Sequence, residues 1–246
     1  FGGFRTGMSS SSRSWTRCRR GRSWCSAPTG SRRRSGSRPG SGTSASGKSV
    51  TYTYDALDQK VAATVDPDGA GTTGTVSKTY YVWDGGQVAM EFDDANALDS
   101  TAATLSRRYL YAPGIDQVLA EDSTATTGGI VTWDLADHEG TVRDVVNNSG
   151  AVIDHLKYDS FGKVTAESNS AVDHLFAFTG RERDEETGLQ YHRARYLDVG
   201  VGRWVSEDPT GFAADDSNLT RYVSNTITGF VDDTGKAKAA PGGVVP

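Results

Sequence analysis

Three stretches of this chain share one pattern. Asp137-His-Glu-Gly140-Thr-Val142, Asn147-Asn-Ser-Gly150-Ala-Val152 and Asp159-Ser-Phe-Gly162-Lys-Val164 each read Asp or Asn, two residues, Gly, one residue, Val. Asp or Asn in the first turn position accepts a hydrogen bond from the backbone two residues on. Gly in the fourth position takes the positive φ that closes a type I turn into a bulged hairpin, and Val restarts a strand. Asp84-Gly-Gly86-Gln-Val88 is one residue shorter, and Asp55-Ala-Leu-Asp58 puts Asp where Gly is expected. Asp tolerates that conformation better than most residues, though less well than Gly. The turn openers at 137, 147 and 159 leave room for strands of about five residues. A chain punctuated this way is predicted to fold as successive hairpins.

The segments between the turns agree. VTYTYD from Val50, TYYVWDGGQVAMEF, RRYLYAPG, GIVTWDLAD and HLFAFTG alternate β-branched and aromatic residues with polar ones, the period of a half-buried strand. Aromatic-Asp pairs recur at Tyr54-Asp55, Trp83-Asp84, Trp133-Asp134 and Tyr158-Asp159, which favours a repeat array. Longer loops are expected at 66–75, 93–104 and 121–129. RERDEET at 181–187 is expected to form one helical turn, and no strong helix is predicted.

Charge divides the chain. Residues 1–50 contain ten Arg, one Lys and no Asp or Glu, whereas the rest carries 15 basic against 31 acidic residues. The basic head is Arg, Ser and Gly with few apolar residues, so it is expected to be disordered. Its composition and its abrupt end at Val50 also match a G+C-rich gene read out of frame, and the start at Phe1 suggests a fragment; both readings stay open. Arg32, Arg33 and Arg34 offer charge to a phosphate backbone but no specific nucleic-acid motif. Residues 42–49, GTSASGKS, match the G-x-x-x-x-G-K-S phosphate loop. Such a loop needs a strand before it and a helix after it. RRRSGSRPGS precedes and VTYTYDAL follows, so Lys48 and Ser49 are not predicted to hold a nucleotide. Cys18 and Cys25, spaced C-x6-C, fit neither a zinc knuckle nor a redox pair. No apolar run approaches the ~18 residues of a membrane span.

The last third carries a longer signature. FTGRERDEETGLQYHRARYLD, then VGVGRWVSEDPTGF to Phe212 and NLTRYVSNTITGFVDDTG to Gly235, resemble the Rhs repeat-associated core that ends the Tyr-Asp-repeat (YD-repeat) shell of bacterial Rhs and toxin-complex proteins. Tyr54-Asp55 and Tyr158-Asp159-Ser-Phe-Gly162 resemble YD repeats, so the resemblance covers about 51–235. It implies an all-β fold: a curled antiparallel sheet of hairpins forming part of a shell, closed by the core. The expected organisation is a disordered segment 1–50, hairpins 51–165, core 166–235 and a disordered tail 236–246. The implied partners are upstream YD repeats or another shell protein, and the implied location is secreted or cell-surface. Family members enclose a C-terminal toxin; the eleven residues after Gly235 are too short to be one.

The resemblance also implies self-cleavage at the core's end by acidic residues. Arg203-Trp-Val-Ser-Glu-Asp208-Pro209 matches the family pattern, whereas the closing Asp-Pro-x-Gly-Leu is here Asp232-Asp-Thr-Gly235-Lys236. Asp208 and Asp232 are the pair expected to act as acid and base, with Arg203 as charge partner, cutting near Gly235. Against this stands a purely structural role for all three, and the primary expectation is a non-enzymatic scaffold. No cofactor is expected. No metal is expected either: His138, His155, His174 and His192 stand alone in sequence, and Asp66-Pro-Asp-Gly69 lacks the Glu that completes a calcium loop. A third reading is a glycan-binding adhesion module whose face is lined by Tyr52, Tyr54, Trp83, Tyr109, Tyr111 and Trp133; alternation favours these as sheet residues.

Overall fold

The computed structural model describes residues 11–17, 24–26, 47–69, 74–124, 130–214 and 216–241, with the backbone alone for the first two stretches. Residues 42–46 of the phosphate-loop match lie outside the described residues. The chain forms two compact units, Phe1–Tyr81 with Phe92–Thr104, and Val82–Glu91 with Leu105–Pro246. Among the described residues there are strands and short 3₁₀ turns and no α-helix.

In the first unit, β1 (Ser11–Arg17) pairs antiparallel with β2 (Trp24–Ser26) and with β3 (Ser49–Tyr54), and β3 pairs with β4 (Lys60–Asp66). β5 (Ser77–Asp84) follows against β4. The alternation in VTYTY becomes burial: Val50, Tyr52 and Tyr54 are buried and the threonines between them are not. Lys60 is buried too, its Nζ lying 4.5 Å from the centre of the Tyr81 ring, a contact that offsets part of the cost of burying an ammonium.

The second unit takes in the tip of the hairpin between β5 and β6 (Gln87–Asp94) and then β7 (Thr104–Tyr111), β8 (Val118–Ser123), β9 (Ile130–Ala136), β10 (Val142–Asn147), β11 (Val152–Tyr158) and β12 (Val164–Glu167). From β7 to β12 each strand pairs antiparallel with the next. A four-stranded sheet follows, β13 (Glu182–Arg183), β14 (Leu189–His192), β15 (Arg195–Asp198) and β16 (Arg203–Trp204), in that order. The helical turn expected at 181–187 is absent. Glu182 and Arg183 form β13, and Asp184 turns the chain because its Oδ1 accepts from the amides of Glu186 at 2.9 Å and Thr187 at 3.1 Å.

The turn formula is realised atom by atom. Oδ1 of Asp137 accepts from the amides of Glu139 and Thr141 at 3.0 and 3.1 Å; that of Asn147 from Ser149 and Ala151 at 3.0 and 3.1 Å; that of Asp159 from Phe161 and Lys163 at 2.9 and 3.1 Å. Asp55 does the same with Leu57 and Gln59 at 2.9 and 2.8 Å. Gly140, Gly150 and Gly162 have φ of 80°, 78° and 88°, and Asp58 in the equivalent place has φ 61°.

One face of the second unit's sheet packs on the chain that leaves β12. Val118, Val142, Val145 and Leu156 bury against Leu175 and Phe176, and Tyr109 and Tyr111 meet the Phe176 ring edge-on at 5.2 and 5.8 Å. Asp134, of a Trp-Asp pair, is buried with neither carboxylate oxygen hydrogen-bonded. Burial pushes its carboxyl up to about 7 and pushes the Glu121 carboxyl well above its usual range.

Two measurements check this account. Gly162 and Gly150 both need positive φ, but a Cβ at Gly162 would lie 2.4 Å from the Phe178 ring, whereas one at Gly150 would meet nothing within 4 Å. Gly150→Ala should cost about 1–2 kcal/mol of stability and Gly162→Ala roughly 3 kcal/mol or more, read by urea unfolding. Asp134 holds its proton more tightly folded than unfolded, so its contribution to stability falls as pH rises from the ordinary carboxylate value to about 7. Asp134→Asn should therefore match the parent near pH 4 and exceed it in unfolding free energy at pH 8; parallel pH profiles for the two proteins would refute the assignment.

Candidate functional site

The hairpin tips of the second unit's sheet touch one stretch of the core, residues 177–202. At the β5–β6 tip, the Gly86 carbonyl accepts from Arg193 Nε and Nη2 at 3.2 and 2.9 Å. At the β7–β8 tip, both Asp116 oxygens accept from Arg193, Oδ1 from Nη2 at 2.7 Å and Oδ2 from Nη1 at 3.1 Å. Arg181 Nη1 adds a third contact to Asp116 Oδ1 at 2.6 Å. At the β9–β10 tip, Thr141 Oγ1 accepts from the Thr179 amide at 2.9 Å, and the Val142 amide donates to the Ala177 carbonyl at 3.0 Å. At the β11–β12 tip, Gly162 lies on Phe178 and Phe161 lies on Gly202. Arg181 is buried, which opposes its charge, yet Asp116 and Glu182 raise the guanidinium above its ordinary value.

A second buried charge cluster lies within the core, around Arg195 at the start of β15. The tight hairpin His192↔Arg195 turns through Arg193 at φ 55° and points the Arg195 side chain inward, where its carbon Cζ lies 4.1 Å from the centre of the Trp204 ring. Arg195 Nη2 meets Asp208 Oδ2 at 2.7 Å and Asp232 Oδ2 at 3.2 Å. Its Nε donates to the Gly235 carbonyl at 2.6 Å and its Nη1 to the Leu219 carbonyl at 3.2 Å. Arg195, Asp208 and Asp232 are all at least nine-tenths buried. Burial pulls the Arg195 guanidinium down, with both carboxylates opposing; burial raises the Asp232 carboxyl, with Arg195 opposing.

The closing segment curls over this cluster. Asp232 Oδ1 accepts from the amides of Lys236 and Ala237 at 3.1 and 3.2 Å. The Asp232 carbonyl accepts from His192 Nδ1 at 2.5 Å, and burial, then the charge of Arg181, holds the His192 imidazole well below its ordinary value. Gly235 has φ 68°, and a Cβ there would lie 2.3 Å from the His192 carbonyl oxygen, so only glycine lets the chain pass this close.

Asp208 and Asp232, 24 residues apart, thus meet on one guanidinium nitrogen. Arg203, expected as their charge partner, is exposed on β16, and Arg195 occupies that place. The signal for Arg195 was a charged residue next to an aromatic at the start of a strand, in Arg-Ala-Arg195-Tyr. The aromatics considered for a glycan face are dispersed: Tyr52 and Tyr54 are buried in the first unit, Tyr109 and Tyr111 pack on Phe176, Trp83 meets Tyr191 edge-on, and Trp133 is 40% exposed.

Residues 132–225 match the family model described as Teneurin YD-shell, and residues 41–70 match RHS Repeat. The chain is an Rhs/YD-repeat protein. The YD-repeat chain is 30% identical over 202 residues to Probable deoxyribonuclease RhsB of Dickeya dadantii (strain 3937), a match covering 81% of this chain and 13% of that protein. It is 27% identical over 197 residues to Double-stranded DNA deaminase toxin A of Burkholderia cenocepacia (strain H111), covering 76% of this chain and 14% of that protein. It therefore spans about an eighth of the length of these relatives. In the crystal structure of TcdB2-TccC3 a similar fold is found at TM-score 0.61 and 19% identity, covering 76% of this chain and 9% of that one.

The Arg195 cluster makes a measurable prediction. Arg195→Leu leaves two buried carboxylates without their counter-charge, which should cost about 3–5 kcal/mol at pH 7. Lowering the pH protonates the stranded acids, so the loss should shrink toward pH 4; a loss independent of pH would show that packing on Trp204, not charge, is what the arginine supplies.

Proposed function

We propose that this YD-repeat chain is a scaffold, a segment of shell wall together with the core that closes it, and that it works in a secreted or surface-exposed assembly with further YD repeats. The observation that carries this reading is the seating of four successive hairpin tips on one core segment. Leu175 and Phe176 lie on the sheet face, but the segment that follows them crosses from tip to tip, as a cap on the rim of a wall would. The relatives are far longer than this chain, which supports a role as part of a larger enclosure. Mixed with a YD-repeat polypeptide lacking its own core, the chain should comigrate on size exclusion and add density at one end of a hollow particle in electron micrographs. Separate elution, or density along the wall, would overturn it.

The Arg195 cluster favours one second reading, cleavage of the Gly235–Lys236 bond by the chain's own acids. Arg195 Nε polarises the Gly235 carbonyl. The leaving nitrogen of Lys236 donates to Asp232 Oδ1 at 3.1 Å, so Asp232 is the group within reach to pass a proton to that nitrogen once the carbonyl has been attacked. Asp208, on the same guanidinium, is the base that takes a proton from the attacking water. Water adds to the carbonyl carbon, the C–N bond breaks, and a Gly235 carboxylate and a Lys236 amine result. Intact-mass measurement should show loss of residues 236–246, abolished in Asp208→Asn and Asp232→Asn. An uncut chain at both neutral and acidic pH would dismiss this reading and leave the scaffold reading intact.

A further inference from the structure

Three side chains of metal-ligand type converge in the second unit from separate stretches: Asp154 on β11, Glu167 at the end of β12, and His174 in the chain that enters the core. The antiparallel pairing Leu156↔Glu167 brings the first two together. Asp154 and His174 are at least nine-tenths buried. One oxygen of Asp154 is fully committed: Oδ1 accepts from the amides of His155 and Asn169, each at 2.8 Å, and from Ser168 Oγ at 2.9 Å. The other oxygen, Oδ2, has no hydrogen-bond partner.

His174 presents the matching situation. Its Nδ1 lies 3.0 Å from the Phe176 carbonyl oxygen. A carbonyl can only accept, so Nδ1 carries the hydrogen and Nε2 of the neutral ring offers a lone pair. That Nε2 is buried without a hydrogen-bond partner. It faces Asp154 Oδ2 at 3.8 Å and Glu167 Oε1 at 4.0 Å. The three ligand atoms all lie within 4.8 Å of one another. Arg183 Nη2 approaches the second oxygen of Glu167, Oε2, at 3.8 Å, which leaves Oε1 to the cluster.

An imidazole lone pair aimed at two carboxylate oxygens in a buried site is repulsive, and each unpaired acceptor there is costly. A proton on Nε2 would turn the repulsion into an ion pair but would make no hydrogen bond, because 3.8 and 4.0 Å exceed hydrogen-bond reach. A divalent cation satisfies all three acceptors together. Bonds of about 2.0–2.2 Å to histidine nitrogen and carboxylate oxygen need only small side-chain shifts from these positions. The Nδ1–H bond to a backbone carbonyl is the outer contact that orients a ligating histidine. One imidazole with two carboxylates suits zinc or a neighbouring transition ion rather than magnesium or calcium, which take oxygen shells.

We infer that Asp154, Glu167 and His174 form a site for a divalent transition ion of the zinc class. The ion pins β12 and the loop after it to the chain entering the core. Three protein ligands leave a fourth position for water.

The test uses the full chain, stripped with chelator and titrated with zinc chloride by calorimetry, with thermal unfolding followed in parallel. The expected result is a zinc-dependent rise in unfolding temperature and a site whose affinity falls roughly tenfold or more in Glu167→Gln. Glu167 is only partly buried, so that variant should keep the parent's circular dichroism. His174→Ala should lose the site. Zinc held by Cys18 and Cys25 would be indifferent to both changes, and cobalt substitution separates it by thiolate charge-transfer absorption. No zinc uptake, or uptake identical in the parent, Glu167→Gln and His174→Ala, would overturn the inference.

Discussion

A single oxygen that takes two backbone amide hydrogens, from the second and fourth residues beyond it, sets the rest of this structure in place. Four turns use it with nearly the same distances. Each such turn has a fixed length, so the strand that follows begins in a defined register and its inward residues stay inward. Two of these turns, at Asp137 and Asp159, lie on alternate connections, and their tips are among those the core meets. The bulges seen beside the turns, at Thr53/Tyr54, Val145/Val146 and Lys157/Tyr158, are the local cost of the same geometry.

The core is joined to the tips by charge as much as by apolar contact. Arg181 and Arg193 converge on Asp116 at a tip, and within the core Arg195 gathers Asp208, Asp232 and two carbonyls. Guanidinium is suited to this because its planar fork meets several acceptors at once and is weakly hydrated. Burying such groups costs desolvation, and breaking one partner leaves the other stranded. With no cysteine beyond Cys25, no disulfide is available to hold these distant segments, and the arginine clusters take up that task along with the Leu175–Phe178 apolar contacts.

The hairpins were legible because their determinants are local: Asp137, Asn147 and Asp159 act on residues at most four positions away. The helical turn expected at 181–187 failed for the same reason, since Asp184 followed by Gly188 is a turn signal that the acidic run disguised. The Asp208–Asp232 pairing was inferred from resemblance, and its charge partner was misplaced. Arg203 lies nearer Asp208 in sequence than Arg195 does, but strand alternation sends Arg203 outward and Arg195 inward. Asp154, Glu167 and His174 carry no recognisable spacing at all. Their proximity depends on the β11–β12 register and on where the chain re-enters the core, and neither is written in a short motif.

The order of elements has a consequence for how the molecule comes into being. Each hairpin from β7 onward zips onto the one just before it, so the sheet can grow in the direction of synthesis with little loop-closure entropy at any step. The ties from core to tips are the opposite: Arg193 reaches a carbonyl 107 residues away. Those long-range bonds wait for residues 181–193, so this segment acts as a clasp, and a chain arrested before residue 181 would display its tips with their acids and carbonyls still waiting for a partner.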